Sequence, residues 1–389
     1  MKQIYLDNSA TTPLSTTAKE AMCEAMELYG NPSSLHTMGK EAHDLVEKAR
    51  KKVAASLGLR TSLAAGQLTF TSCGSESDNL AILGTAYAKP RRKGGRVITT
   101  DSEHAGVESA MRALENDGFE VVRISTRGGE LDLDQLENAL NGRVFLVSMM
   151  AVNNETGAMY DVARAFTMAK AKDPNIVTHT DAVQAYLKCR LSPAAMSADL
   201  LTVSAHKIHG PKGVGALYAS TEALKRRDFV PTLLGGGQEN GFRSGTENVI
   251  GIVGFGAAAE EGYTKLSKTL PHLTDLRDYA RERLSALPVK LNIPTGKCAP
   301  HIINLTLPDI RSETMLHALS ADGIYISNGS ACSSHSHTLS SALTAFGLTP
   351  AEIECSIRIS LGVQNTKDDI DALITSLETA IARLVKIHR

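Results

Sequence analysis

Residues 200–207 read LLTVSAHK, and the reading of this stretch decides the architecture. Leu200–Ala205 is an apolar run of the length of one buried strand, and it delivers His206 and Lys207 at its C-terminal end. Five earlier runs have the same character: Gln67–Ser72 (QLTFTS), Arg96–Thr100 (RVITT), Glu120–Ser125 (EVVRIS), Val144–Met150 (VFLVSMM) and Ile176–Asp181 (IVTHTD). Between several of them lie amphipathic stretches: Ser75–Ala88, stopped by Pro90, His104–Asn116, followed by Asp117-Gly118, and Asp132–Leu140. Strand–helix alternation of this kind predicts an α/β fold, with a mostly parallel sheet covered on both faces. The Gly-rich stretch Leu234–Gly245 interrupts the pattern, and a long helical region follows from Val249 to Leu287. Beyond Pro288 and Pro294 a new set begins: strand His301–Leu307, helix Glu313–Asp322, strand Ile324–Ser327, helix Leu339–Phe346, strand Ser356–Leu361 and helix Lys367–Ile387. The expected organisation is a large domain over 16–255 and a smaller α+β domain formed by 1–15 and 256–389.

The composition is that of an ordinary globular protein of 389 residues, 42% hydrophobic and 21% charged, with no Trp. Lys+Arg 41 against Asp+Glu 42 leaves a net charge of -1, without the basic footprint of a dedicated nucleic-acid binder. The run Arg91-Arg92-Lys93 reads as a solvated loop. Six cysteines, at 23, 73, 189, 298, 332 and 355, form no CxxC and suggest no disulfide framework, which fits a reducing cytosol. The opening MKQIYLDNSATTP has no apolar core of a secretory signal, and no stretch of 18 apolar residues exists, so no membrane span is expected.

Lys207 and Asp181 together suggest chemistry. An enzyme that uses pyridoxal 5′-phosphate (PLP) needs one lysine to form a Schiff base with the cofactor aldehyde. It also needs a carboxylate beside the pyridine nitrogen, to keep the ring protonated and able to absorb a carbanion's electrons. Asp181 ends the strand IVTHTD, and Gln184, on the same side of a following helical turn, can reach the ring hydroxyl. In TSCGSESDN (71–79), Gly74 and Ser75 fall at a helix N-terminus, where free N–H groups and the helix dipole favour a phosphate. Ser204 and His206 flank the lysine and can add donors. Each feature has a plainer reading: Asp181 as a helix N-cap, Lys207 as a surface charge, Ser75 as a simple cap, the Gly triplet at 235–237 as a turn.

In combination these motifs resemble the cysteine desulfurase family of the NifS/IscS type. The resemblance rests on YLDNSATTP (5–13), GNPSSLH (30–36), TSCGSESDNLAI (71–82), EH (103–104), VNNETG (152–157) and HTDAVQ (179–184). It continues through SAHKIHGPKGVGALY (204–218), GGGQENGFRSGTEN (235–248), SNGSACSS (327–334) and SIRISLG (356–362), in the family's order over nearly the whole chain. The resemblance implies a fold-type I PLP enzyme that works as a homodimer, converts L-cysteine to L-alanine and passes sulfur to an acceptor protein in an iron–sulfur cluster or thio-modification pathway. By it, Lys207 is the Schiff-base lysine, His104 the imidazole stacked on the pyridine ring, and Asp181 and Gln184 the partners of ring nitrogen and hydroxyl. Gly74, Ser75, Ser204 and His206 are implied as phosphate ligands, with Thr246 reaching the phosphate from the other subunit. Asn154, beside the cofactor, and Arg358 are implied to hold the substrate carboxylate, and Cys332 to accept the sulfur as a persulfide.

The residues around Cys332 agree with that role. Asn328, Gly329, Ser330, Ser333 and Ser334 are small or polar, which suits a thiol that must visit the substrate and then a partner. The chain departs from the family at Cys73, where glycine is usual and where a packing role is expected. It departs again at His335 and His337, where small residues are commoner, and at Leu339, where proline is usual. Cys332, His335 and His337 make a poor closed metal site, and no metal is expected. A selenocysteine lyase, or a PLP enzyme of aminotransferase type, is the alternative reading.

Overall fold

The computed structural model describes residues 3–328 and 339–384. Its centre is a seven-stranded sheet. In chain order the strands are β1 (Leu68–Thr71), β2 (Arg96–Thr100), β3 (Glu120–Ile124), β4 (Val144–Ser148), β5 (Val177–Asp181), β6 (Leu200–Ser204) and β7 (Gly215–Ala219). They lie in the order β1-β7-β6-β5-β4-β2-β3. All neighbours run parallel except β7, which is antiparallel to both β1 and β6.

Both faces of the sheet are buried, which is why the strands read as continuous apolar runs rather than as alternations. Val97, Leu146 and Leu200 point into one core, with Leu80, Ile82, Met111 and Leu114 of the covering helices. Their neighbours Ile98, Val147 and Leu201 point into the other. Helices α1 (Thr16–Met26) and α2 (Thr37–Ser56) pack against the long α5 (Val249–Ser285). Helices α3 (Gly74–Tyr87) and α4 (Ala105–Asn116) pack against each other.

Six of the strands stand where the apolar runs predict them. The seventh, β7, has the sequence GALYA, whose Gly and Ala carry little strand propensity. Its state is imposed by two ladders at once, and Gly215 is required there. A Cβ at that position would stand 2.7 Å from the carbonyl carbon of Cys73. Helices α1 and α2 are further elements without an expected counterpart.

A second core gathers Leu273, Leu276 and Leu284 of α5 with Ile303, Leu305, Met315, Ile357, Ile359 and Leu373. The same helix gives Ile252, Phe255 and Ala259 to the core under the large sheet, so α5 ties the two cores together. The smaller sheet is antiparallel, in the order Lys290–Leu291, Ile302–Thr306, Ser356–Ser360. The segment from Ile4 joins it: Ile4–Tyr5 pairs with Ile324–Tyr325, and Asp7 bridges to Ser360. No helix among the described residues is long and apolar enough to cross a membrane.

Candidate active site

Strands β1, β2, β5 and β6 end on one edge of the sheet, where open α/β folds bind their ligands. A cavity of about 520 Å³ opens there. Gly74, Ser75, His104, Asn154, Asp181, Gln184, Ser204, His206, Lys207 and Arg358 all line it. These ten come from both sides of the molecule and span most of the chain.

Lys207 follows β6 by a single 3-10 turn. Its ammonium donates to the carbonyl of Ala10 at 2.7 Å and to that of Ser9. The carbonyl of Ser9 also accepts from Gln184 Nε2 at 2.9 Å. A strap of backbone at 9–12 is thus laid across the catalytic end of the sheet, fixed further by Thr12, whose N–H donates to the carbonyl of His206 at 2.9 Å. Asp181 sits at the end of β5, buried, and accepts from the N–H of Val183 at 2.9 Å. Burial raises its carboxyl above the ordinary range, while His104, that N–H and Lys207 act in the opposite sense. His104 caps α4 by accepting from the N–H of Gly106 through Nδ1 at 3.1 Å. In the neutral ring the proton therefore resides on Nε2.

The anion cradle is the start of α3. Cys73 takes the N-cap position without a side-chain capping bond. Gly74 lets the chain come close to its neighbour, for a Cβ there would meet Val183 Cγ2 at 3.0 Å. Ser204 Oγ is buried and has no hydrogen-bond partner among the described residues. His206 reaches Thr11 Oγ1 at 3.2 Å, and burial, then Lys207, hold its ring down to about 3, so it is neutral. Thr246 is exposed and does not line this cavity. The glycine-rich run around it is anchored by Glu239, which takes both amino groups of Arg50 (2.7 and 2.8 Å) and the N–H of Phe70.

Arg358 lies in the strand Ser356–Ser360 with 2% exposure. Its Nη1 donates to the carbonyl of Asn154 at 2.9 Å and its Nη2 to Asp7 at 2.8 Å. Asn154 is presented by a tight turn in which Asn153 Oδ1 accepts from the N–H groups of Glu155 and Thr156. Cys332, His335 and His337 lie outside the described residues. On the C-terminal side of that segment, Leu339 and Ser340 line the cavity, and Ser340 donates to Glu155 at 2.6 Å.

Sequence reasoning missed the acids behind the site. Glu103 lines the cavity and accepts from Thr100 Oγ1 at 2.7 Å and the N–H of Met150 at 2.9 Å. Burial pushes its carboxyl up to about 8, so it is protonated at neutral pH. Asp78 is buried beside Asp181. Asp7, Ser9 and Ala10 were visible as part of YLDNSATTP, but nothing in that motif says that two of them act through backbone carbonyls.

The Aminotransferase class-V family profile matches residues 4–373. Cysteine desulfurase IscS of Dictyoglomus turgidum is 39% identical, over 98% of this chain and 95% of that one. Among solved structures, a NifS-like protein is similar with a TM-score of 0.90 at 36% identity, covering 98% of this chain and 100% of its own. SspA, solved in complex with cysteine, is similar with a TM-score of 0.79 at 31% identity, covering 92% and 99%. The chain belongs to the class-V aminotransferase family and, within it, to the cysteine desulfurases of fold type I.

Proposed function

We propose that the cavity binds PLP and that the chain converts L-cysteine to L-alanine, keeping the sulfur as a persulfide on Cys332. The observation that carries this is the meeting of Lys207, Asp181 and His104 with an open helix N-terminus and a buried arginine in one cavity. The residues fit the cofactor. Ser204 Oγ and Gln184 Oε1 are buried polar atoms that lack a partner among the described residues and face the site, and the start of α3 offers N–H groups for a phosphate. A volume of about 520 Å³ is in the range of small-molecule sites.

Gly74, Ser75, Ser204 and His206 would hold the phosphate, Asp181 the ring nitrogen, Gln184 the ring hydroxyl, and His104 the ring face. When bound, PLP supplies an electron sink for the pair released at the substrate's α-carbon. Arg358 and Asn154 orient the substrate carboxylate, a planar group that suits the guanidinium fork. Lys207 Nζ takes the α-proton. The Cys332 thiolate then attacks the substrate sulfur, and the Cβ–S bond breaks with its pair left on the β-carbon. That carbon takes a proton and becomes the methyl group of alanine, and Lys207 returns a proton to the α-carbon. The persulfide is passed to an acceptor protein.

A homodimer completes the reading. Thr246 stands away from its own cavity, and Leu35 and Leu234 are 90% and 78% exposed, apolar surface that a second copy would cover. The test of the central claim is chemical. Borohydride reduction of the PLP-loaded protein should fix the cofactor to Lys207, seen by peptide mapping, and L-cysteine should yield alanine. A protein that cannot be loaded, or a label on another lysine, refutes it.

A further inference from the structure

Asp78, on the first turns of α3, is 1% exposed and has no part in the mechanism above. A carboxyl oxygen of Asp78, a carboxylate oxygen of Asp181 and a ring nitrogen of His104 lie within 4.8 Å of one another. Two buried carboxyls at that separation do not both ionise, because each charge lacks water and repels the other. Their surroundings decide which one keeps the proton. Asp181 has His104, Lys207 and the Val183 N–H to stabilise its charge. Asp78 has the hydroxyl of Thr202, the ladder partner of Asp181, and little else.

The remaining neighbours of Asp78 do not offset a negative charge. His179 Nε2 is 3.7 Å from its Oδ1, but burial holds that ring at about 3, so the contact is not an ion pair. His179 is instead wired to Ser148 Oγ at 2.8 Å and Thr202 Oγ1 at 3.1 Å. Glu103 and Cys73, from the segments after β2 and before α3, bring no positive charge to it.

We propose that Asp78 is a positioning residue that carries a proton and, as a neutral neighbour, leaves Asp181 the single carboxylate at this point of the site. What Asp181 then holds, the protonated ring nitrogen of PLP, rests on the function proposed above. An ionised Asp78 would compete for that proton, whereas a neutral one presents a dipole and no net charge.

Two measurements test this. Infrared difference spectra of the purified enzyme at pH 7, wild type minus D78N, should show a protonated carboxylic-acid carbonyl band. A difference confined to the carboxylate region overturns the proposal, whether or not PLP is bound. The second measurement follows the absorbance of bound PLP against pH. D78N should leave the midpoint where it is, since Asn matches a protonated Asp in charge and shape. D78A should move it by about one pH unit, as the charge on Asp181 loses a polar neighbour in a place without water. An ionised Asp78 would instead make D78N itself shift the midpoint by roughly two units. That shift, or a D78A midpoint equal to the wild type, refutes the positioning role. If D78A does not fold, the infrared band and D78N still decide the case. A wild-type protein that takes up no PLP refutes the cofactor reading and leaves the infrared result to judge Asp78.

Discussion

Replacing Arg358 separates what the guanidinium does for substrate from what it does for the fold. The side chain is 2% exposed and bridges Asn154 O and Asp7 at 2.9 and 2.8 Å, so it acts across the junction of the two cores. If it also grips the carboxylate of L-cysteine, R358A loses a charge-assisted contact in a desolvated place, about 2–5 kcal/mol. At 1.4 kcal/mol per decade, kcat/KM should fall by roughly thirty- to several-thousand-fold. R358K keeps the charge and loses the bidentate fork, and a fall of about tenfold is expected. The fold also suffers in R358A, because Asp7 is left without its partner and a broken buried pair costs roughly 3–5 kcal/mol, less here because Asp7 retains some solvent. The assay is therefore double: L-cysteine dependence of alanine formation, and urea unfolding of the same samples. Binding of PLP, read by absorbance, should survive in both variants. An R358A enzyme with unchanged kcat/KM refutes the carboxylate assignment, and an R358K enzyme as poor as R358A shows that charge without geometry counts for nothing.

Three other perturbations give distinct signatures. C332A should bind L-cysteine and change the PLP spectrum while alanine formation drops to background, and mass spectrometry of the wild type should find the added sulfur on Cys332 and not on Cys73; wild-type turnover in C332A refutes the acceptor role. E103Q should gain stability relative to wild type as pH rises: Glu103 titrates at about 8 in the native state against an ordinary 4.5, so its contribution is complete below 4.5 and is lost toward 8. The slope is about 1.4 kcal/mol per pH unit, so the difference in unfolding free energy between the two proteins, from urea titrations, should change by roughly 2–3 kcal/mol between pH 6 and pH 8, and a constant difference refutes the assignment. Light scattering should report two copies per particle, with L35D shifting it toward one; full activity in a dilute monomer contradicts the shared site.

The sheet was legible because both of its faces are buried. Runs such as VFLVSMM can satisfy two cores only as a central strand, and their length rules out a helix. β7 was not legible, because GALYA owes its strand state to partners on either side and to a clearance at Gly215 that no local pattern reveals. The placement of the candidate side chains was also readable: Lys207 after a strand, Asp181 at the end of another, Gly74-Ser75 opening a helix. Roles carried by backbone or by protonation were hidden. The carbonyls of Ser9 and Ala10 look like any others in sequence, and the neutral state of Glu103 follows from burial that only the folded chain creates.

The strap at 9–12 has a consequence for the order in which the protein is made. Ser9 N–H is held by Ser360 Oγ and Asn8 by the carbonyl of Ser360, partners 351 and 352 positions apart in the chain. At ~5–20 residues per second of synthesis, that gap is roughly twenty seconds to a minute. For the later part of this interval Lys207 also exists without the strand that pins the strap over it, and the pocket's roof waits for its anchor. Biosynthesis thus has a built-in delay: a nascent chain interrupted before residue 356 has the lysine and the cradle but not the clasp. Fully made chains should accordingly resist proteolysis at residues 7–12, and ribosome-stalled chains ending short of that strand should be cut there readily.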